Sequence, residues 1–219
     1  MVNKAAVNKA AVNKHKPGRV ARHSGDAPAR QEDGRWNELL EISAKSFAEH
    51  GYKSTTLQDI ADQFGVLKGS LYHYIRSKDD LLFEIVRAVY TRGLDNLREL
   101  AAAESDPAAR LRSVVRGHVL YLIDNLVETS VLLHEFEQLS TARREQIALH
   151  EYSAILADLI EDAQRAGVVR PGVDAQLAAL AALGAMNWVY RWYRPDGRRS
   201  PAEIADQYAE IVIAGLLEA

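Results

Sequence analysis

The chain has 219 residues, 26% charged and 47% hydrophobic, with a formal net charge of −3. It has no cysteine, which excludes a disulfide framework, a thiol nucleophile and a Cys-based zinc site. No apolar run approaches the ~18 residues that suggest a membrane span, so no membrane partner is expected and a cytoplasmic home fits.

Residues 1–31 form a basic, low-complexity tail. The first 30 residues carry seven Lys or Arg against one acid, Asp26, a net of +6 that leaves −9 on the rest. VNKAA recurs from Val2 and Val7, and VNK again from Val12. This five-residue step matches no solenoid period, and the recurring lysines do not suit a secretory signal. Two readings stay open. The tail is either without a role, being disordered or the product of a wrongly assigned translation start, or a basic arm that follows phosphates or enters the minor groove beside a DNA-reading helix.

The spacing of Leu39, Leu40, Ile42, Ala44 and Phe47 predicts a helix over 36–50, closed by Gly51. Thr56 has Asp59 three residues on, a capping box that opens a second helix with Leu57, Ile60, Ala61 and Phe64 on its inner face. Gly65 stands where that helix must stop, because glycine takes the left-handed conformation without steric cost. A third helix is expected over 68–75, with Leu71 and Ile75 inward. Ser77 and Asp80 form a second capping box and open a fourth, long helix reaching toward Leu100.

Two short helices about a glycine turn are how a helix-turn-helix DNA reader is built, and its second helix enters the major groove N-terminus first. Gly69 and Ser70 let the backbone approach DNA. Tyr72, His73 and Tyr74 can contact phosphates, base edges or thymine methyls. Lys68 and Lys78 bracket the helix as phosphate clamps. Tyr72 or Tyr74 could instead be a core residue exposing only its hydroxyl. Segment 31–83 has six Lys or Arg and nine Asp or Glu, so DNA affinity must come from a few well-placed cations or from the tail.

Residues 36–83 resemble the DNA-binding domain of the TetR family. SFAEHGYKSTTLQDIA, FGVLKGSLYHYI and SKDDLL carry the resemblance. It implies a DNA-binding domain over 32–83 and a helical effector-binding and dimerisation domain over 84–219. It also implies a homodimer on a near-palindromic double-stranded operator, with repression as the base expectation. Thr55 and Thr56 join the expected DNA-binding residues. The family often has a capping Ser or Thr before the recognition-helix lysine; this chain has Leu67.

Beyond Pro107 the periodicity predicts helices over 108–127, 130–139, 141–166, 175–193 and 201–217, giving an all-α chain of about nine helices. The last two are rich in small and apolar residues and suit a four-helix dimer interface. NWVYRWYRPDG, starting at Asn187, places aromatic planes beside guanidinium groups. These suit a flat heteroaromatic ring carrying phosphates. The segment also resembles TetR members that control lipid or steroid breakdown and answer to acyl-CoA thioesters. Asn187, Trp188, Arg191 and Trp192 are therefore the candidate effector residues, Arg191 binding phosphate and a Trp lining the pocket. The aromatics could instead anchor the dimer.

HEFEQ, from His134, lacks the HExxH metal spacing; a hydrogen-bonded charged face is the simpler reading, and Glu135 could point into a ligand cavity. No metal and no cofactor is expected. Without a GxSxG elbow or a Gly-rich phosphate loop, an enzyme is not expected either. The alternative to a thioester sensor keeps the same DNA reader. It takes a hydrophobic drug or free fatty acid as effector and controls an efflux pump.

Overall fold

The computed structural model describes residues 34–216, so the basic tail and its proposed role fall outside the described residues. Among these the chain is all-α: eleven helical segments, one 3-10 turn and no strand.

The first helix, α1 (Gly34–His50), buries Trp36, Leu39, Ala44 and Phe47. Next comes α2 (Leu57–Phe64), opened by the predicted capping box: Asp59 N donates to Thr56 Oγ1 (3.2 Å) and Thr56 N to Asp59 Oδ2 (2.8 Å). Gly65, at φ 73°, ends α2 by donating to the carbonyls of Ala61 and Asp62. The second box, Ser77 with Asp80, opens α4 (Lys78–Ala103), whose 26 residues run about 39 Å.

Between them α3 is shorter than its pattern predicts, Lys68–Leu71 rather than 68–75. After Leu71 the backbone tightens: Tyr74 N donates to Leu71 O, three residues back, and Ile75 still turns into the core. α4 runs on to Ala103, and after a short loop Asp106 caps α5 (Pro107–Asp124), accepting from Ala109 N at 2.8 Å. A Cβ on Gly117 of α5 would lie 2.1 Å from Leu100 Cδ1, so glycine lets α5 approach α4 closely. Asn125 leaves helical geometry and starts α6 (Leu126–Glu135) earlier than Ser130.

A 3-10 turn, Phe136–Gln138, follows, then α7 (Thr141–Arg144) and α8 (Leu149–Arg165). The single helix expected over 141–166 is interrupted at 145–148, which lets Ile147 point into the N-terminal core. The helix expected over 175–193 is likewise divided at Trp188 into α9 (Ala175–Asn187) and α10 (Val189–Trp192). The last helix, α11 (Pro201–Leu216), packs chiefly on α5. The predicted runs thus stand, with two of them subdivided.

Two apolar cores result. The larger joins the end of α4 to α5, α8, α9 and α11. The other joins α1 to α3 and the start of α4, and also takes in Val131, Leu139 and Ile147 from the C-terminal half. The helix-turn-helix is therefore completed by residues far beyond position 83.

Candidate DNA-reading face and effector cavity

The N-terminal part of α3 presents Lys68 and Gly69 to solvent, with Tyr72 and His73 exposed just after it and Ser70 half-buried. Leu67 precedes the helix, 82% exposed and making no cap hydrogen bond. Sequence reasoning noted Leu67 only as a lost cap. It also passed over Arg76, an exposed cation directly after this segment.

Three of the expected DNA-contacting residues also make contacts within the chain. Thr55 is buried, its Oγ1 donating to Gly51 O (2.9 Å) and Ser46 O (3.1 Å). Tyr74 packs edge-on against Phe64, ring centroids 5.8 Å apart. Lys78 Nζ donates to Tyr52 O (2.6 Å) and Thr55 O (2.7 Å) and stands 4.3 Å from the Tyr52 ring centroid. Burial pulls its pKa below the usual lysine value, with Glu135 opposing. This lysine ties α4 to the loop before α2. Thr56 remains exposed as the cap of α2.

Glu135 does not line a cavity: its Oε1 accepts from Tyr52 N at 3.0 Å. It works with Arg143 of α7, whose Nε meets Asp79 Oδ2 (2.9 Å) and whose Nη1 donates to Asp79 O (2.7 Å). A further guanidinium nitrogen bonds the Asp80 carboxylate. Burial works against charge on Asp80, yet Arg143 and the N–H groups of Arg76 and Ser77 hold its pKa below the usual range. Segment 135–143 thus grips both the loop after α1 and the start of α4.

Immediately behind this grip is a cavity of about 320 Å³ walled by α4, α5, α6, α8, α9 and the 3-10 turn. Its apolar walls include Val89, Leu122, Leu132, Phe136 and Leu183. Tyr90 and Tyr121 also line it, their hydroxyls spent on Ala148 O and Val89 O, each at 2.6 Å. His118 is buried between Tyr152 and Asn187: Nδ1 lies 2.7 Å from Tyr152 Oη, and Nε2 3.0 Å from Asn187 Oδ1. Because Oδ1 only accepts, the ring proton is on Nε2, and Tyr152 donates to Nδ1.

Of the expected effector residues, Asn187 lines this cavity. Trp188, Arg191 and Trp192 are exposed and lie outside it. Helical rotation explains the division: Leu183 and Asn187, four apart, share the inner side of α9, while the next residue turns out. Trp192 instead joins Tyr193, Arg194, Arg198, Arg199 and Ile204 around a separate open cleft. HEFEQ is taken up by hydrogen bonds, His134 to Tyr190 and Glu137 to Arg144. On the outer side of α9 and α11, Leu177 is 64% and Ile211 68% exposed, flanking a groove floored by alanines.

Burial pushes the His118 pKa from 6.5 down to about 4, opposed by the Asn187 hydrogen bond. The unfolded chain therefore takes up this proton at higher pH than the folded one. The stability contributed by neutral His118 is complete above about pH 6.5 and is lost as pH falls toward 4. The full effect is roughly 3 kcal/mol. Denaturant midpoints at about pH 7 and pH 5 should fall less in His118→Gln than in the parent; equal losses would contradict the assignment.

A profile described as bacterial regulatory proteins, tetR family, matches residues 39–85, and one described as tetracyclin repressor-like, C-terminal domain, matches 104–216. The HTH-type transcriptional repressor KstR2 of Rhodococcus jostii is 33% identical over 189 residues, 84% of this chain and 91% of that protein. The structure of ketosteroid transcriptional regulator KstR2 of Mycobacterium tuberculosis superposes with a TM-score of 0.80 at 28% identity, covering 86% of this chain and 97% of that one. AibR in complex with isovaleryl coenzyme A and operator DNA superposes with a TM-score of 0.73 at 29% identity, covering 84% and 98%. With the glycine-turned helix pair in place, these matches establish the chain as a member of the TetR family of bacterial regulatory proteins, a DNA-binding transcriptional regulator and not an enzyme.

Proposed function

We propose that the protein is a dimeric repressor released from a near-palindromic operator by an acyl-CoA thioester, and that it controls lipid or related catabolic genes. The observation that carries this reading is the double use of residues 135–149. Phe136, Glu137 and Leu149 wall the cavity, while Glu135 and Arg143 hold the reading head. A ligand that displaces this wall also displaces the grip. Two heads must meet successive major grooves about 34–36 Å apart, so a small rotation is enough to misfit them. The dimer forms through the uncovered faces of α9 and α11, where Leu177 and Ile211 would otherwise stay in water.

The named ligand of AibR, isovaleryl coenzyme A, and the repressor function named for KstR2 support the effector class and the sign of regulation. The acyl part fits the apolar cavity. The phosphates stay outside it, because no Lys or Arg lines it, whereas Arg191 and Arg194 are exposed beyond Asn187. The DNA face consists of Leu67, Lys68, Gly69, Ser70, Tyr72, His73 and Arg76, with Thr56 at the start of α2.

Titration onto DNA upstream of its own gene tests both halves. Lys68→Ala should weaken binding alike across sequences and reduce the salt slope by about one per subunit, as a lost phosphate contact does. An unchanged slope removes Lys68 from the interface. A thioester should release the DNA where free CoA and the free acid do not. Release by a neutral drug or free acid alone would instead favour control of an efflux pump.

A further inference from the structure

Among the described residues, Thr129 Oγ1 is the buried side-chain polar atom that lacks a hydrogen-bond partner. Thr129 is 7% exposed and lies on α6 in the cavity wall. A helical hydroxyl usually bonds a carbonyl one turn back, as Ser43 does with Leu39 O and Ser130 with Val127 O. Thr129 does not, and an unpaired buried hydroxyl is unfavourable unless something supplies the partner.

The rest of the wall shows what that partner can be. Tyr90 and Tyr121 have given their protons to backbone carbonyls. Tyr152 has given its proton to His118, whose own proton goes to Asn187 Oδ1. This chain fixes the Asn187 amide with its N–H groups free of protein partners. Residues of the wall therefore carry two uncommitted uncharged donors, the Thr129 hydroxyl and the Asn187 amide, beside the His134 ring, of which Tyr190 engages only Nε2. No Lys or Arg lines the cavity, and the Glu137 carboxylate at its edge is already paired with Arg144. A carboxylate buried there would have no Lys or Arg beside it to offset the loss of water. An uncharged oxygen would complete the hydrogen bonding without that cost.

We infer that the cavity selects an apolar ligand bearing a neutral carbonyl or hydroxyl oxygen, held by Thr129 and Asn187, and rejects the corresponding carboxylate. The inference rests on the reading of this cavity as the effector site. The oxygen is either the thioester carbonyl itself or one further along the acyl chain; both present the same acceptor.

Calorimetric titration of the full chain tests this with a matched set: octanoyl-CoA, S-octyl-CoA without the carbonyl, β-oxo-octanoyl-CoA, methyl hexyl ketone and octanoate. The ketone should bind at least about tenfold more tightly than octanoate. Thr129→Val keeps the side-chain shape and removes the orphan, so it should fold at least as stably as the parent. It should lower affinity for oxygen-bearing ligands by about tenfold, as a lost hydrogen bond does, leave S-octyl-CoA unchanged, and be rescued by Thr129→Ser. If octanoyl-CoA is already weakened, the thioester carbonyl is the bonded oxygen; if only the β-oxo ester is weakened, it is the chain oxygen.

Equal binding of every ligand by parent and Thr129→Val overturns the inference and shows a merely solvated hydroxyl. So does octanoate binding as tightly as the ketone, or a ketone that does not bind. Thioesters that bind without responding to Thr129→Val would leave the proposed function standing while this inference falls. A Thr129-dependent ketone preference with no CoA ester bound would do the reverse.

Discussion

The placement of the reading head against the cavity turns on one polar grip, Arg143 on the first turn of α4. A guanidinium beside a helix N-terminus meets the positive end of the helix dipole, which is unfavourable on its own. Asp79 and Asp80 reverse that by placing two carboxylates in the first turn, one of them also completing the Ser77 capping box. Capping, ion pairing and docking are thus met by the same two residues. Breaking such a partly buried pair on one side leaves the other side uncompensated, so the grip fixes geometry more surely than it adds stability.

Apolar packing reinforces the grip. Val131, Leu139 and Ile147 enter the core of the reading head, and the interruption between α7 and α8 is what lets Ile147 do so. The head is therefore not an independent module that happens to precede the cavity. Its position is set by the segment that walls the cavity, and α4 carries the larger core on its second half. That continuity gives the proposed release of DNA a physical route without a disordered linker.

Local features were legible in the sequence where the chemistry is local. Both capping boxes, the Gly65 stop and the inward Leu71 and Ile75 follow from side chains within one turn of each other. Asn187 was found through its neighbours, though Trp188, Arg191 and Trp192 lie on the outer side of the same helical stretch. Long-range partners were not legible. Nothing near Glu135 in sequence indicates Tyr52, 83 positions earlier, and nothing near Lys78 indicates the carbonyls of Tyr52 and Thr55. A charged side chain that satisfies backbone groups reads in sequence like one facing DNA or ligand. Only the tertiary placement separates the two. Thr129 was invisible for the same reason: its hydroxyl matters because everything around it is already bonded.

In the proposed function, segment 135–149 carries free energy between cavity and DNA. The most direct test is the coupling between the two ligands: operator affinity with and without a releasing thioester, and thioester affinity with and without operator, in the parent and in Arg143→Gln. Arg143→Gln should still bind each ligand alone within a few-fold of the parent, while the coupling factor falls toward one in both directions, as linkage requires. A coupling factor equal to the parent's would contradict it and place the route between cavity and reading head elsewhere.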